Sequence, residues 1–174
     1  MAENPEHRTS FPPQAARDCR VLVLGSMPGE RSLAEHRYYA HPQNLFWTFM
    51  GEICGAGPGL DYAARLTRLK AAGIGLWDVL KHCERPGSLD GRIVRGTEVP
   101  NDLPALIARR PRLRAIAFNG AKAAQAFRAH VLGELDDATL ARLTLLALPS
   151  TSPAHASTPR AQKLARWMAL RAFL

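Results

Sequence analysis

Four short apolar runs stand out along the chain: "RVLVLG" at 20–25, "GIGLWDVL" at 73–80, "LRAIAFNG" at 113–120 and "LTLLALPS" at 143–150. They are too short for buried helices and are rich in leucine, β-branched and aromatic residues, so they read as strands. Between them, apolar residues recur every three to four positions, which predicts helices over roughly 44–54, 61–72, 101–110, 120–131 and 159–172. Continuous rather than alternating apolar runs describe strands covered on both faces, and helical crossovers between them describe parallel pairing. The pattern therefore predicts an α/β protein: a three-layer α/β/α sandwich around a central, mainly parallel four-stranded sheet. Residues 1–18, polar and containing "FPP", read as a flexible N-terminal tail or an extended arm, with 19–174 as a single domain.

Composition narrows the class. With 174 residues, 47% hydrophobic and 22% charged, the chain can bury a full core without disulfides or metals, which excludes a disordered segment. Cys19, Cys54 and Cys83 are odd in number and lack any C-x-x-C spacing, so reduced thiols are expected and a zinc or iron–sulfur site is not. No apolar run approaches the ~20 residues of a membrane span, and the first residues carry no signal-peptide core. A cytoplasmic location, without membrane partners, is the expectation. The net charge is +8 and unevenly placed: residues 104–128 carry Arg109, Arg110, Arg112, Arg114, Lys122 and Arg128 without an acid, and the C-terminal "PRAQKLARWMALRAFL" adds four more cations. Such segments either solvate helices or meet a polyanion.

In open parallel sheets the working surface lies beyond the carboxyl ends of the strands. There the four runs deliver "GSMPG", "WDVL" followed by "RPGSLD", "FNG" and "LPSTSPAHA". "GSMPG" lacks the lysine and spacing of a phosphate-binding loop, and no G-x-S-x-G elbow supports a serine esterase through Ser26 or Ser150 with His41 or His155. Ser88, in "RPGSLD", joins the same rim.

Taken in order, "GSMPG…YYAHPQNLFW…GIGLWDVL…RPGSLD…FNG…LPSTSPAHA" resembles the uracil-DNA glycosylase superfamily, and most closely its hypoxanthine-DNA glycosylase branch. The resemblance runs from about Arg20 to the C-terminus, and "AHPQNLFW" is its most specific block. It implies a monofunctional DNA glycosylase of base-excision repair that hydrolyses the N-glycosidic bond of a deaminated base, hypoxanthine or uracil. It implies DNA as partner, a monomer, and neither metal nor organic cofactor.

The resemblance also exposes departures. Most of the superfamily carries Asp, Asn or Glu where this chain has Met27. A thioether cannot position water; relatives with an apolar residue there use an asparagine of the next block instead, so the resemblance implies the catalytic role for Asn44 of "HPQN", with Met27 expected as a pocket wall and Asn44 also placed to cap the following helix. Gly25, Ser26, Pro28, Tyr39, Asp78 and Asn119 complete the implied base pocket, Tyr39 as the stacking aromatic. Phe46 and Trp47 fall at helical core positions. Asp78 stands where pyrimidine-specific relatives read the base with asparagine; an ionised carboxylate there accepts hydrogen bonds only. In the last block, Ser150, Thr151, Ser152 and His155 are the implied DNA contacts, with Ser88 and Lys122. Leu148 replaces the histidine of better-known relatives, and Ser152 replaces their wedge leucine. Met27 and Leu148 together leave room for two other readings, a uracil-specific enzyme and a catalytically weak DNA-binding protein of the same fold.

Overall fold

A computed structural model describes residues 7–174. Four parallel strands form the centre: β2 (Val21–Gly25), β3 (Ile74–Asp78), β6 (Ala115–Asn119) and β7 (Thr144–Leu148), in the order β3-β2-β6-β7. The four expected strands, the order of layers and the parallel direction all hold. Alternation along the strands sorts the two cores. Val21, Val23, Ile74, Leu76, Ala115 and Ala117 face one layer, and Leu22, Leu24, Ile116 and Phe118 face the other.

The first face is covered by α2 (Phe46–Cys54), α3 (Tyr62–Ala71) and α7 (Arg160–Trp167), with Phe46, Phe49, Met50, Leu69 and Trp167 fully buried. The second is covered by α4 (Leu103–Ala108) and α5 (Ala121–His130) through Leu103, Leu106, Ile107, Ala123 and Phe127. Asp61 caps α3, its Oδ1 accepting from the Ala64 amide at 2.8 Å, and Asp102 caps α4 in the same way. The last expected helix is α-helical to Trp167 and tightens to a 3-10 turn over Met168–Phe173. Two short helices, α1 (Glu30–Glu35) and α6 (Asp137–Arg142), escape the sequence pattern because one or two turns show no period.

The N-terminal expectation is corrected from His7 onward; residues 1–6 lie outside the described residues. Strand β1 (His7–Thr9) pairs antiparallel with β4 (Leu80–Glu84), which pairs with β5 (Val99–Pro100), making a second, three-stranded sheet. Beyond it the arm stays attached. Gln14 and Leu76 exchange backbone hydrogen bonds at 2.9 Å, the Trp77 indole donates to the Phe11 carbonyl, and Arg110 donates to the carbonyl of Ala15. The segment is ordered because it supplies the backbone and indole partners that the edge of β3 needs.

Candidate functional site

The site forms where β2, β3 and β6 end. Gly25 lies in register with Asp78, and Asn119 with Leu148. After β2 the chain turns through Ser26, Met27 and Pro28, all buried, and is tied to the end of β3 by the Val79 amide on the Gly25 carbonyl (2.8 Å) and the Leu80 amide on that of Ser26 (3.1 Å). Gly25 is required by proximity: a Cβ there would stand 2.7 Å from Asp78 Oδ1 and 3.4 Å from the Tyr39 hydroxyl. The missing side chain lets a carboxyl and a phenol converge on one spot.

Asp78 is the most perturbed group of the site. It is 3% exposed, and its Oδ2 is buried with no hydrogen-bond partner among the described residues. Burial, then the nearby Asp90 carboxylate, push its pKa up to about 8, against a smaller opposing pull from Arg85. The free protein therefore holds Asp78 mainly as a neutral acid at pH 7. That changes the sequence-based argument, since a carboxylic acid both donates and accepts. Its backbone is fixed by the Asn101 side chain, which donates to the Asp78 carbonyl at 2.8 Å.

Two residues the sequence reading passed over hold this half of the site. Arg85, fully buried, donates to the carbonyls of Met27 (3.3 Å) and Pro28 (2.6 Å) and so clamps the "GSMPG" turn from below. Asp90 is exposed as a residue, yet its Oδ1 turns inward to accept the Ser26 hydroxyl at 2.6 Å. Only the quoted "RPGSLD" hinted at either, because what they meet lies some sixty positions away. Ser88 accepts from the Glu30 amide at 2.9 Å and braces the same turn. The Met27 side chain is only 6% exposed and packs into the core on the α4–α5 side, while its carbonyl accepts from Arg85.

The other half gathers Tyr39, Asn44, Asn119 and the 149–158 loop. Tyr39 sits in a left-handed conformation (φ 54°), uncommon for a bulky residue and a form of strain that persists where surrounding structure enforces it. Its ring stacks on Phe46 at 4.1 Å, its hydroxyl shares a hydrogen bond with Asn119, and burial, with Asp78 adding to it, holds its pKa above the usual phenol range. Phe46 and Trp47 are core residues as expected. Asn44, one residue before the N-cap Leu45, accepts from the Phe46 amide through Oδ1 at 3.0 Å, and an amide oxygen keeps a second lone pair for another donor. The adjacent Leu45 amide donates to the Thr151 carbonyl, which brings Asn44 against the last loop. Asn119 and Thr151 make a reciprocal pair: Nδ2 to Oγ1 and the Thr151 amide to Oδ1, both at 2.9 Å. Most of the capacity expected for base reading at Asn119 is thus used to hold that loop.

Within the loop, the Ser150 hydroxyl accepts from the Ser152 amide and the Ser152 hydroxyl from the Ala154 amide, leaving both hydroxyl protons available to an acceptor. His155 Nε2 lies 3.4 Å from the Thr158 hydroxyl. Its carbonyl takes the ammonium of Lys163 at 2.5 Å, a buried lysine that the sequence analysis counted only as charge. Lys122 stands apart, in an ion pair with Glu98 at 2.8 Å. Among the described residues there is no group of three or more His, Cys, Asp or Glu able to hold a metal, and no helix long and apolar enough to cross a membrane.

A family model described as the uracil DNA glycosylase superfamily matches residues 12–172. Two proteins named hypoxanthine DNA glycosylase, from Methanosarcina barkeri and Methanosarcina acetivorans, are each 39% identical over 119 residues, covering 68% of this chain and 74% of theirs. The solution NMR structure of a uracil DNA glycosylase candidate from Methanosarcina acetivorans superposes with a TM-score of 0.78 at 31% identity, over 97% of this chain and 99% of that one. By the family model over most of its length and by these relatives, the chain belongs to the uracil DNA glycosylase superfamily.

Proposed function

We propose that the protein is a monofunctional DNA glycosylase that removes hypoxanthine from DNA, with Asn44 positioning the attacking water and neutral Asp78 reading the flipped base. The observation that carries this is the buried, unpartnered carboxyl of Asp78 beside the bare Gly25. A carboxylic acid can donate O–H to a ring carbonyl and accept the neighbouring ring N–H through its other oxygen, a two-bond match to the lactam edge of hypoxanthine. Tyr39, with its ring fixed on Phe46, is the stacking platform. Extrusion of the target costs least where pairing is already weak, and a deaminated base in a mispair meets that condition.

In the reaction, water held by the Asn44 amide oxygen adds to C1′ of the sugar as the N-glycosidic bond breaks. The base departs with the bonding electrons and takes up a proton, while the water gives its surplus proton to solvent. The products are free base and an abasic site. Stabilising charge on the departing base dominates such a step. A neutral acid at Asp78 serves it, where a carboxylate would repel. Ser150, Ser152 and their neighbouring amides grip phosphates, with His155 alongside. The enzyme acts as a monomer in the cytoplasm and uses no cofactor.

Uracil shows the same lactam edge, so Asp78 does not choose between the two bases; the names of the relatives favour hypoxanthine. The test is a panel of single-turnover assays in EDTA on single strands and duplexes bearing hypoxanthine, uracil, xanthine or a mispaired thymine. Hypoxanthine release is expected to be fastest. Uracil release without hypoxanthine release would overturn the purine assignment, and abasic product from none of the four would favour a DNA-binding protein of the same fold.

A further inference from the structure

The opposite pole of the molecule, where the strands begin, carries a second concentration of chemistry. A cleft of about 350 Å³ opens between Arg20, Pro111, Arg112, Leu113, Arg114 and Arg142, with four guanidinium groups and no carboxylate in its lining. Two of the arginines are fixed. Arg142 donates to the carbonyls of Ile107, Arg110 and Leu113 (2.6–3.3 Å), and Arg20 lies over Gly73 with Nη2 on the Ala72 carbonyl at 3.0 Å. Gly73, at φ 87°, makes room for it: a Cβ there would come within 2.9 Å of the Arg20 guanidinium. Arg20 Nε is buried and has no hydrogen-bond partner among the described residues. The other two arginines, Arg112 and Arg114, are exposed on the rim, and their side chains make no hydrogen bond or ion pair among the described residues. Asp136, an acid that senses Arg142, is outside the lining and spends its Oδ1 on capping α6 through the Thr139 amide.

Arg20 and Arg142 are half-buried and Arg112 and Arg114 exposed, and the cleft offers these four cations carbonyls but no carboxylate, so an anion from outside is the complementary partner. A guanidinium's forked donors suit a phosphate.

We propose that this cleft is a second nucleic-acid site, taking the phosphodiester backbone of a DNA segment other than the one in the excision site. It rests on DNA being the substrate. Strands of five residues place the two poles roughly 17 Å apart across the sheet, so one straight duplex does not occupy both. The consequence is exchange: a protein sitting on one duplex is handed to another through a doubly bound intermediate.

The experiment uses the full chain and the double variant Arg112→Ala/Arg114→Ala, chosen because neither side chain supports the fold. Labelled lesion duplex is bound, and its release is followed as unlabelled, undamaged duplex is added. For the native chain, release accelerates with competitor concentration. For the variant the acceleration is lost, and the salt slope of the exchange falls by about 0.9 for each phosphate contact removed. Single-turnover excision on a short duplex stays unchanged. Equal acceleration in both proteins, a matching loss of excision in the variant, or acceleration by polyglutamate but not by DNA would each overturn the second site. If the native chain excises no base and binds no DNA, the glycosylase reading itself fails; if it excises normally but does not exchange, only this inference does.

Discussion

Asn44 and Asp78 hold opposite ends of the same chemistry, and each has a variant that isolates it. Asn44→Ala is expected to lower single-turnover excision by at least ~100-fold, the scale of one preorganised group. It also removes the acceptor for the Phe46 amide, so Asn44→Asp, which keeps that acceptor, is the control for folding. Asp78 gives a pH signature. Its acid form prevails below about pH 8, so excision is expected to decline as pH rises through that value, and Asp78→Asn, which keeps both donor and acceptor, is expected to flatten the decline. Stability runs the same way. The folded protein binds this proton more tightly than the unfolded chain, so stability drains away as pH climbs from about 4 to 8. Asp78→Asn therefore raises the melting temperature more at pH 8 than at pH 5. At this scale the sequence showed identities but not states. Asp78 could be named from "LWDVL", whereas its neutrality depends on Gly25, Tyr39 and Asp90 closing round it.

The elements divide by how local their causes are. The four central strands were legible because each is an apolar run covered on both faces, and α2, α3 and α5 because nine or ten residues show a full helical period. Asp61 signals the start of α3 from sequence, and Asp61→Ala is expected to cost about 1 kcal/mol in denaturant unfolding. The small sheet was illegible for the opposite reason. β1 is three polar-leaning residues whose partner is β4, and nothing local in "HRT" announces a pairing with "HCE". Likewise the Asp90–Ser26 bond exists only because the turn after β4 folds back on the turn after β2. The arm is thus structural from His7 onward, where a flexible tail or an extended arm was expected. Deleting residues 1–16 strips the Gln14 bonds from Leu76 and the Phe11 carbonyl from Trp77. The truncated protein is expected to melt at lower temperature and lose excision at 37 °C; normal stability would show that water replaces those bonds without cost.

For the whole molecule, charge and topology set the behaviour. A +8 chain with four arginines around the rear cleft is expected to bind DNA with a steep salt dependence, about 0.9 counterions being released for each phosphate neutralised. A slope near zero in a plot of log affinity against log salt would place those arginines off the DNA. The net charge was readable from composition, but its division into an excision face and a rear cleft was not, since Arg20, Arg112 and Arg142 converge from three separate segments. The arm has one more consequence, and it concerns time. Residues 7–9 are made before their partners in β4, which follow more than seventy residues later, and chains are synthesised at roughly 5–20 residues per second. For several seconds the nascent arm has no native strand to pair with. Gln14 likewise pairs with Leu76 of β3, which is made some sixty residues after it. The arm can thus be seated only after β3 and β4 have been made.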